Sequence, residues 1–190
     1  MTDTAALEAF FVRELTYTDR AMTAHLPRLR ALADGLDRAV ELGVGVGGSS
    51  SALLLGARQV LSIDIAETLE AAELRTIAGD RWEYRIVDSL TTTIGPCDLL
   101  FVDSLHTFDH VDAELRAHAD AVRRYLVFHD SITFGSVGAD GGTGQPDPTK
   151  LGIRPAIDLL MIRDPRWRIA AHYLDSHGLL VLEAEGPHVA

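Results

Sequence analysis

From Ala5 to Leu32 apolar residues recur at helical spacing, as Leu7, Phe10, Phe11 and Leu15 and then Met22, Leu26, Leu29 and Leu32, with polar residues between them. This spacing predicts two amphipathic helices laid over a larger body. After Asp37 the period changes. Short apolar runs bounded by turn residues, at Ala39–Leu42, Gln59–Ile63, Tyr84–Val87, Asp98–Val102 and Tyr125–Phe128, alternate with helical stretches at Ser50–Leu55, Glu67–Ala78 and Val111–Arg123. Five strands separated by helices require right-handed crossovers and a mostly parallel sheet covered on both faces. The expected class is α/β, a doubly wound Rossmann-like sheet. Pro155–Ile162 reads as one more helix. Trp167–Leu174 and Leu179–Ala184 read as strands joined by D-S-H-G, so a hairpin closes the sheet with an antiparallel final strand.

A length of 190 residues, 47% of them hydrophobic and 24% charged, suits one domain with one buried core. We expect residues 1–37 to form a helical cover and 38–190 the core. The apolar stretch around Phe10 and Phe11 serves either as intramolecular cover or as a surface for self-association. Between Thr133 and Gly152, five glycines at 135, 138, 141, 142 and 144, with Pro146 and Pro148, argue against regular structure and for a mobile lid.

Charge and cysteine usage exclude several classes. Seventeen basic residues against 28 acidic leave a net charge of −11, with no cluster of Lys or Arg to grip nucleic acid or an anionic membrane. The single Cys97 makes no internal disulfide, and the opening M-T-D-T-A-A-L-E lacks the basic region of a leader, so a cytoplasmic location is expected. Cys97 reads as a semi-buried turn residue and Trp82 and Trp167 as packing residues. His110 and His118 read as solvent-facing helix positions. H-T-F-D-H at 106–110 carries Thr107 where a zinc protease needs Glu.

The candidate chemistry begins where the first strand runs into E-L-G-V-G-V-G-G-S-S, Glu41 to Ser50. Glycines there permit a tight turn and close approach of a ligand, and the helix that follows offers free N–H groups. The spacing satisfies both G-x-G-x-x-G (Gly43, Gly45, Gly48) and E-x-G-x-G-x-G (Glu41, Gly43, Gly45, Gly47). A carboxylate at Glu41 would repel a pyrophosphate and accept from a cationic amino group. Asp64, ending the second strand 23 residues later, has the reach to bind both hydroxyls of a ribose.

On these residues the chain resembles the class I S-adenosylmethionine-dependent methyltransferases from Ala39 onward. The resemblance implies that Glu41, Gly43 and Gly45 hold the methionine end of that cofactor, that Asp64 holds the ribose and that Asp88 and Ser89 flank the adenine, with Ser49, Ser50, Ile65 and Asp103 as further cofactor-binding residues. The fourth strand ends F-V-D-S-L-H and the fifth F-H-D-S, which resembles a narrower branch: the metal-dependent small-molecule O-methyltransferases related to macrolide-sugar methyltransferases and cephalosporin hydroxylases. That branch implies a divalent ion, Mg²⁺ or with an imidazole ligand Mn²⁺, on Asp103, His129 and Asp130, with His106 as general base. The branch often has an acid where this chain has His129.

The expected activity is methyl transfer to a hydroxyl of a small polyhydroxylated acceptor, such as a sugar, glycoside or phenol; members of the resembled family commonly form homo-oligomers, and self-association stays open. Two alternatives stay open at this level: a nicotinamide-dependent oxidoreductase with His106 as acid/base, and a module that binds the cofactor or a nucleotide without turnover.

Overall fold

The five apolar runs become the parallel strands β1 (Arg38–Leu42), β2 (Gln59–Asp64), β3 (Trp82–Ile86), β4 (Cys97–Val102) and β5 (Val122–His129) in a computed structural model that describes residues 2–141 and 144–186. The hairpin of β8 (Trp167–Tyr173) and β9 (Leu179–Ala184) joins them, giving a seven-stranded sheet in the order β3-β2-β1-β4-β5-β9-β8. β9 lies antiparallel to β5, pairing Val127 with Val181 and His129 with Leu179. Central strands buried on both faces need apolar side chains on both, and Val40, Leu42, Leu99, Leu100 and Phe101 are all fully buried.

Two helical layers cover the sheet. α1 (Thr4–Glu14), α2 (Leu26–Ala33), α3 (Gly48–Gly56) and α4 (Leu69–Ala78) share one core, in which Leu7, Phe10 and Phe11 pack with Leu29, Leu53 and Leu74. The N-terminal helices are therefore intramolecular cover. On the other face α5 (Phe108–His118) and α6 (Arg154–Arg163) pack over Leu100, Phe128 and Trp167. The helix starts follow local chemistry: Asp3, Thr68 and Thr107 each accept a hydrogen bond from an amide three residues on. Among the described residues no helix is long and apolar enough to cross a membrane.

The structure corrects several expectations. Val111–Arg123 is not one helix, because α5 ends at His118 and Val122 and Arg123 already belong to β5. The glycine- and proline-rich segment is not wholly irregular: β6 (Val137–Ala139) and β7 (Pro146–Leu151) form a two-stranded ribbon. Both prolines lie in β7, an edge strand that leaves room for residues with no N–H to donate. Residues 142 and 143 of the expected lid lie outside the described residues. Cys97 is fully buried at the start of β4, and burial pushes its thiol up to about 12. His118 is buried against the carbonyl of Ser89, not solvent-facing, and His110 is only partly exposed. Both tryptophans are packing residues as expected.

Candidate active site

The carboxyl ends of β1, β2, β4 and β5 meet at one crevice. At its centre is the turn from Gly43 to Gly47, where Gly43, Gly45 and Gly47 all have positive φ. A Cβ on Gly43 would lie 2.1 Å from the carbonyl oxygen of Asp103, so this glycine exists because β1 and β4 are pressed together, not because a ligand approaches. Gly45 is different. A Cβ there would meet nothing within 4 Å, and the missing side chain opens onto the crevice. Asp64 clamps the turn from β2: its Oδ2 accepts from the amides of Val44 at 2.7 Å and Gly45 at 3.2 Å.

Two cavities flank the turn and share Gly43, Val44, Gly45 and Asp103 as a common wall. The first, about 470 Å³, runs over Asp64, Ile65, Asp88 and Ser89 and on to Ser104 and His110. The second, about 430 Å³, is bounded by Gly48 and Ser49 of α3, by His129 and Asp130, and by Glu14, Arg20 and Met22 of the N-terminal segment. Seven of the ten expected cofactor residues thus line the first cavity, and Ser49 lines the second.

Glu41 and Ser50 line neither. The expectation that Glu41 faces a ligand's amino group differs from the structure, which buries its carboxylate completely, its Oε2 accepting from the hydroxyls of Ser50 and Ser62. The alternation of a strand decides this: Glu41 points into the layer between the sheet and α3, and Ser50 in the first turn of α3 reaches down to it. Burial pushes the Glu41 carboxyl up to about 7 against the opposing pull of the serine hydrogen bonds.

At the far end of the common wall, two acids and two imidazoles close a ring. His129 Nδ1 lies 3.1 Å from Asp103 Oδ1 and 3.2 Å from Asp130 Oδ2, and His106 Nε2 lies 3.2 Å from each of the same two oxygens. Asp103 follows β4, and His106 reaches back by its position in the short connection to α5. His129 ends β5, and Asp130 turns the chain with a φ of 57°. The His106 ring stacks on Phe134 with centroids 5.0 Å apart. Burial works against both charges, yet the His129 imidazolium and the hydrogen bonds of His106 and His129 hold the Asp103 carboxyl well below the usual carboxylate range. Burial likewise opposes protonation of His129, but the Asp103 charge and the hydrogen bonds of both acids raise it to about 10. One donor atom each from Asp103, His129 and Asp130 lie within 4.8 Å of one another, the compactness a cation site needs.

No protein-family model and no curated protein matches the chain. Solved structures do match. A Corynebacterium glutamicum protein superposes with a TM-score of 0.69 at 18% identity over 96% of this chain and 92% of that one. The O-methyltransferase TomG from Streptomyces achromogenes, solved with S-adenosylmethionine, gives 0.65 at 21% identity over 95% and 90%. The N-methyltransferase NodS from Bradyrhizobium japonicum gives 0.60 at 15% identity over 86% and 94%. This chain has the class I methyltransferase fold.

Within that fold, four site residues escaped the sequence pattern. His177, at the tip of the β8–β9 hairpin, puts Nδ1 3.1 Å from Asp130 Oδ1. His25 sits edge-on to His129, with ring centroids 5.6 Å apart. Glu114, wholly buried in α5, accepts from Ser89, Ser104 and His110 and so braces the wall of the first cavity. Glu14 lines the second cavity. Only Glu114 carried a local signal, an acid four residues after His110 on the buried face of a helix.

Proposed function

We propose that this chain is an S-adenosylmethionine-dependent, divalent-metal-assisted O-methyltransferase acting on a hydroxyl of a small polyhydroxylated molecule. One observation carries the reading. A nucleoside-sized cavity and a cavity ending on an acid–imidazole cluster share the wall formed by Gly43, Gly45 and Asp103, so a ligand bound in the first would present its far end to the cluster in the second.

The residues fit both groups. Gly45 leaves open the space a cofactor would occupy, and Asp64 and Asp88 stand on the nucleoside side as acceptors for ribose hydroxyls. Asp103, Asp130 and His129 offer two carboxylate oxygens and, once the imidazolium gives up its proton, a nitrogen, a donor set suited to a divalent ion. When bound, the cofactor supplies an electrophilic methyl group, and the ion supplies Lewis acidity that orients the acceptor oxygen and stabilises its developing negative charge.

The chain's own contribution is position and proton control. Asp103 belongs to both cavities and couples the two ends of the site. His106, its Nε2–H directed at Asp103 and Asp130 in the neutral form, holds its ring against Phe134 and keeps Nδ1 as the proton-accepting atom. Loss of the acceptor's proton to that nitrogen makes the oxygen nucleophilic, a contribution of about 10²- to 10⁴-fold. The charged, hydrogen-bonding character of the cluster suits a hydroxylated acceptor better than an apolar one.

The test is transfer of an isotope-labelled methyl group from S-adenosylmethionine to a panel of sugars, glycosides and catechols, followed by mass spectrometry of the products. O-methyl ethers are expected, and His106→Gln should lower turnover about 10²-fold or more while leaving cofactor affinity intact. Tight nicotinamide dinucleotide binding with no response to S-adenosylmethionine would sink the proposal.

A further inference from the structure

We infer that the amino-acid end of the cofactor is held by Glu14 and Arg20, which the N-terminal segment carries over the glycine turn. This rests on the reading that S-adenosylmethionine is the ligand. It adds a binding site built from outside the sheet and its connections.

Glu14 is the last residue of α1, and its side chain is 2% exposed although it bounds the second cavity. Its Oε2 accepts from Arg20 Nη1. Its Oε1 is buried with no hydrogen-bond partner, and Arg13 Nε stands 3.8 Å away, beyond hydrogen-bonding distance. A buried carboxylate oxygen left without a donor is destabilising, so a carboxylate kept in that state at a cavity wall is suited to a donor arriving with the ligand. The position is specific: a Cβ on Gly48 would stand 3.5 Å from Glu14 Oε2, which puts the carboxylate directly over the first residue of α3.

An α-amino acid is a zwitterion and needs both signs close together. The Glu14 carboxylate supplies the acceptor for an ammonium. For the carboxylate, Arg20 lines the same cavity, and its guanidinium lies over the Tyr17 ring at 3.8 Å, which leaves it 31% exposed and within reach of a ligand. The N-terminus of α3 adds to it, since no side chain caps this helix and Gly48 and Ser49 of its first turn border the cavity. Glu41 also has one unpartnered oxygen, but it lines neither cavity and its other oxygen anchors Ser50 and Ser62, which makes it a support for the turn.

The experiment is calorimetry on the full chain with two ligands, S-adenosylhomocysteine and 5′-methylthioadenosine, which share the nucleoside thioether but differ in the amino-acid group. In the wild type the former should bind more tightly. Glu14→Gln and Arg20→Met should each weaken S-adenosylhomocysteine about 10- to 100-fold and leave 5′-methylthioadenosine within about twofold, with Arg20→Lys recovering part of the loss. Retained binding of 5′-methylthioadenosine shows that each variant is folded. Unchanged S-adenosylhomocysteine affinity, or parallel loss of both ligands, overturns the inference and leaves the cofactor reading standing. Failure of the wild type to bind either ligand overturns both.

Discussion

His177 Nδ1 lies 3.1 Å from Asp130 Oδ1, so the turn of the C-terminal hairpin closes onto the residue that follows β5. Ser176 and His177 have positive φ, an uncommon conformation for residues with a side chain, and the His177 carbonyl accepts from the amides of Ile132 and Thr133. From the other side His25 Nε2 meets the carbonyls of Asp175 and Ser176 at 3.1 and 3.0 Å. Asp130 therefore has His106 and His129 on one oxygen and His177 on the other. Under the proposed function, His177→Asn should lower turnover on the order of tenfold with cofactor affinity unchanged, because it frees one side of a carboxylate that must keep its orientation. Steady-state kinetics alongside calorimetry checks this, and equal turnover would confine His177 to a packing role.

The mixed donor set makes a second expectation. Stripping metal with a chelator should abolish methyl transfer, and Mn²⁺ should restore it at least as well as Mg²⁺, since an imidazole nitrogen favours the softer ion. Asp130→Asn should weaken the response to every ion titrated back. Full activity of the metal-free protein would show that these acids serve the fold or the cofactor.

Glu41 gives a prediction about stability. Its folded carboxyl, pushed up to about 7 by burial, exceeds the ordinary value of 4.5. Between those values the unfolded chain has released a proton that the folded chain retains, so stability falls as pH rises through that window and stays reduced above it. The loss is at most about 3 kcal/mol. Glu41→Gln should therefore raise the thermal midpoint at pH 8 relative to wild type and change it little at pH 4.5. A variant less stable than wild type at pH 8 would mean that the ionised form is stabilised by its serines.

Two glycines of the same turn should respond differently to alanine. At Gly43 the new Cβ collides with the Asp103 backbone at 2.1 Å, which only separation of β1 from β4 relieves, and a destabilisation of about 3 kcal/mol or more is expected. At Gly45 only the positive φ is penalised, by about 1 kcal/mol, while the methyl group enters the crevice. Denaturant melts should show Gly45→Ala folded and impaired in cofactor binding, and Gly43→Ala impaired in folding itself. Equal stability of the two would place the close approach elsewhere.

The strands, their order of appearance and the acids at their carboxyl ends were legible along the chain, because a period of two, a run of β-branched residues and a turn glycine are local properties. Leu179–Ala184 matches its predicted limits, and Asp64, Asp103, His106, His129 and Asp130 fall where the ends of β2, β4 and β5 had to converge. What a side chain faces is not local. Glu41 carries the motif yet is turned inward on Ser50 and Ser62, whereas Glu14, from a helix that reads as mere cover, reaches the cavity wall. His118 reads as a solvent-facing helix residue, yet it is buried against the Ser89 carbonyl. The amino-acid sequence by itself determined most of the elements and which acids and histidines stand at the carboxyl ends of the strands. Only the tertiary structure decided which carboxylates border a cavity and which are sealed, because burial depends on surfaces brought together from segments as far apart as Glu14 and His129, and no periodicity within one segment encodes its partner.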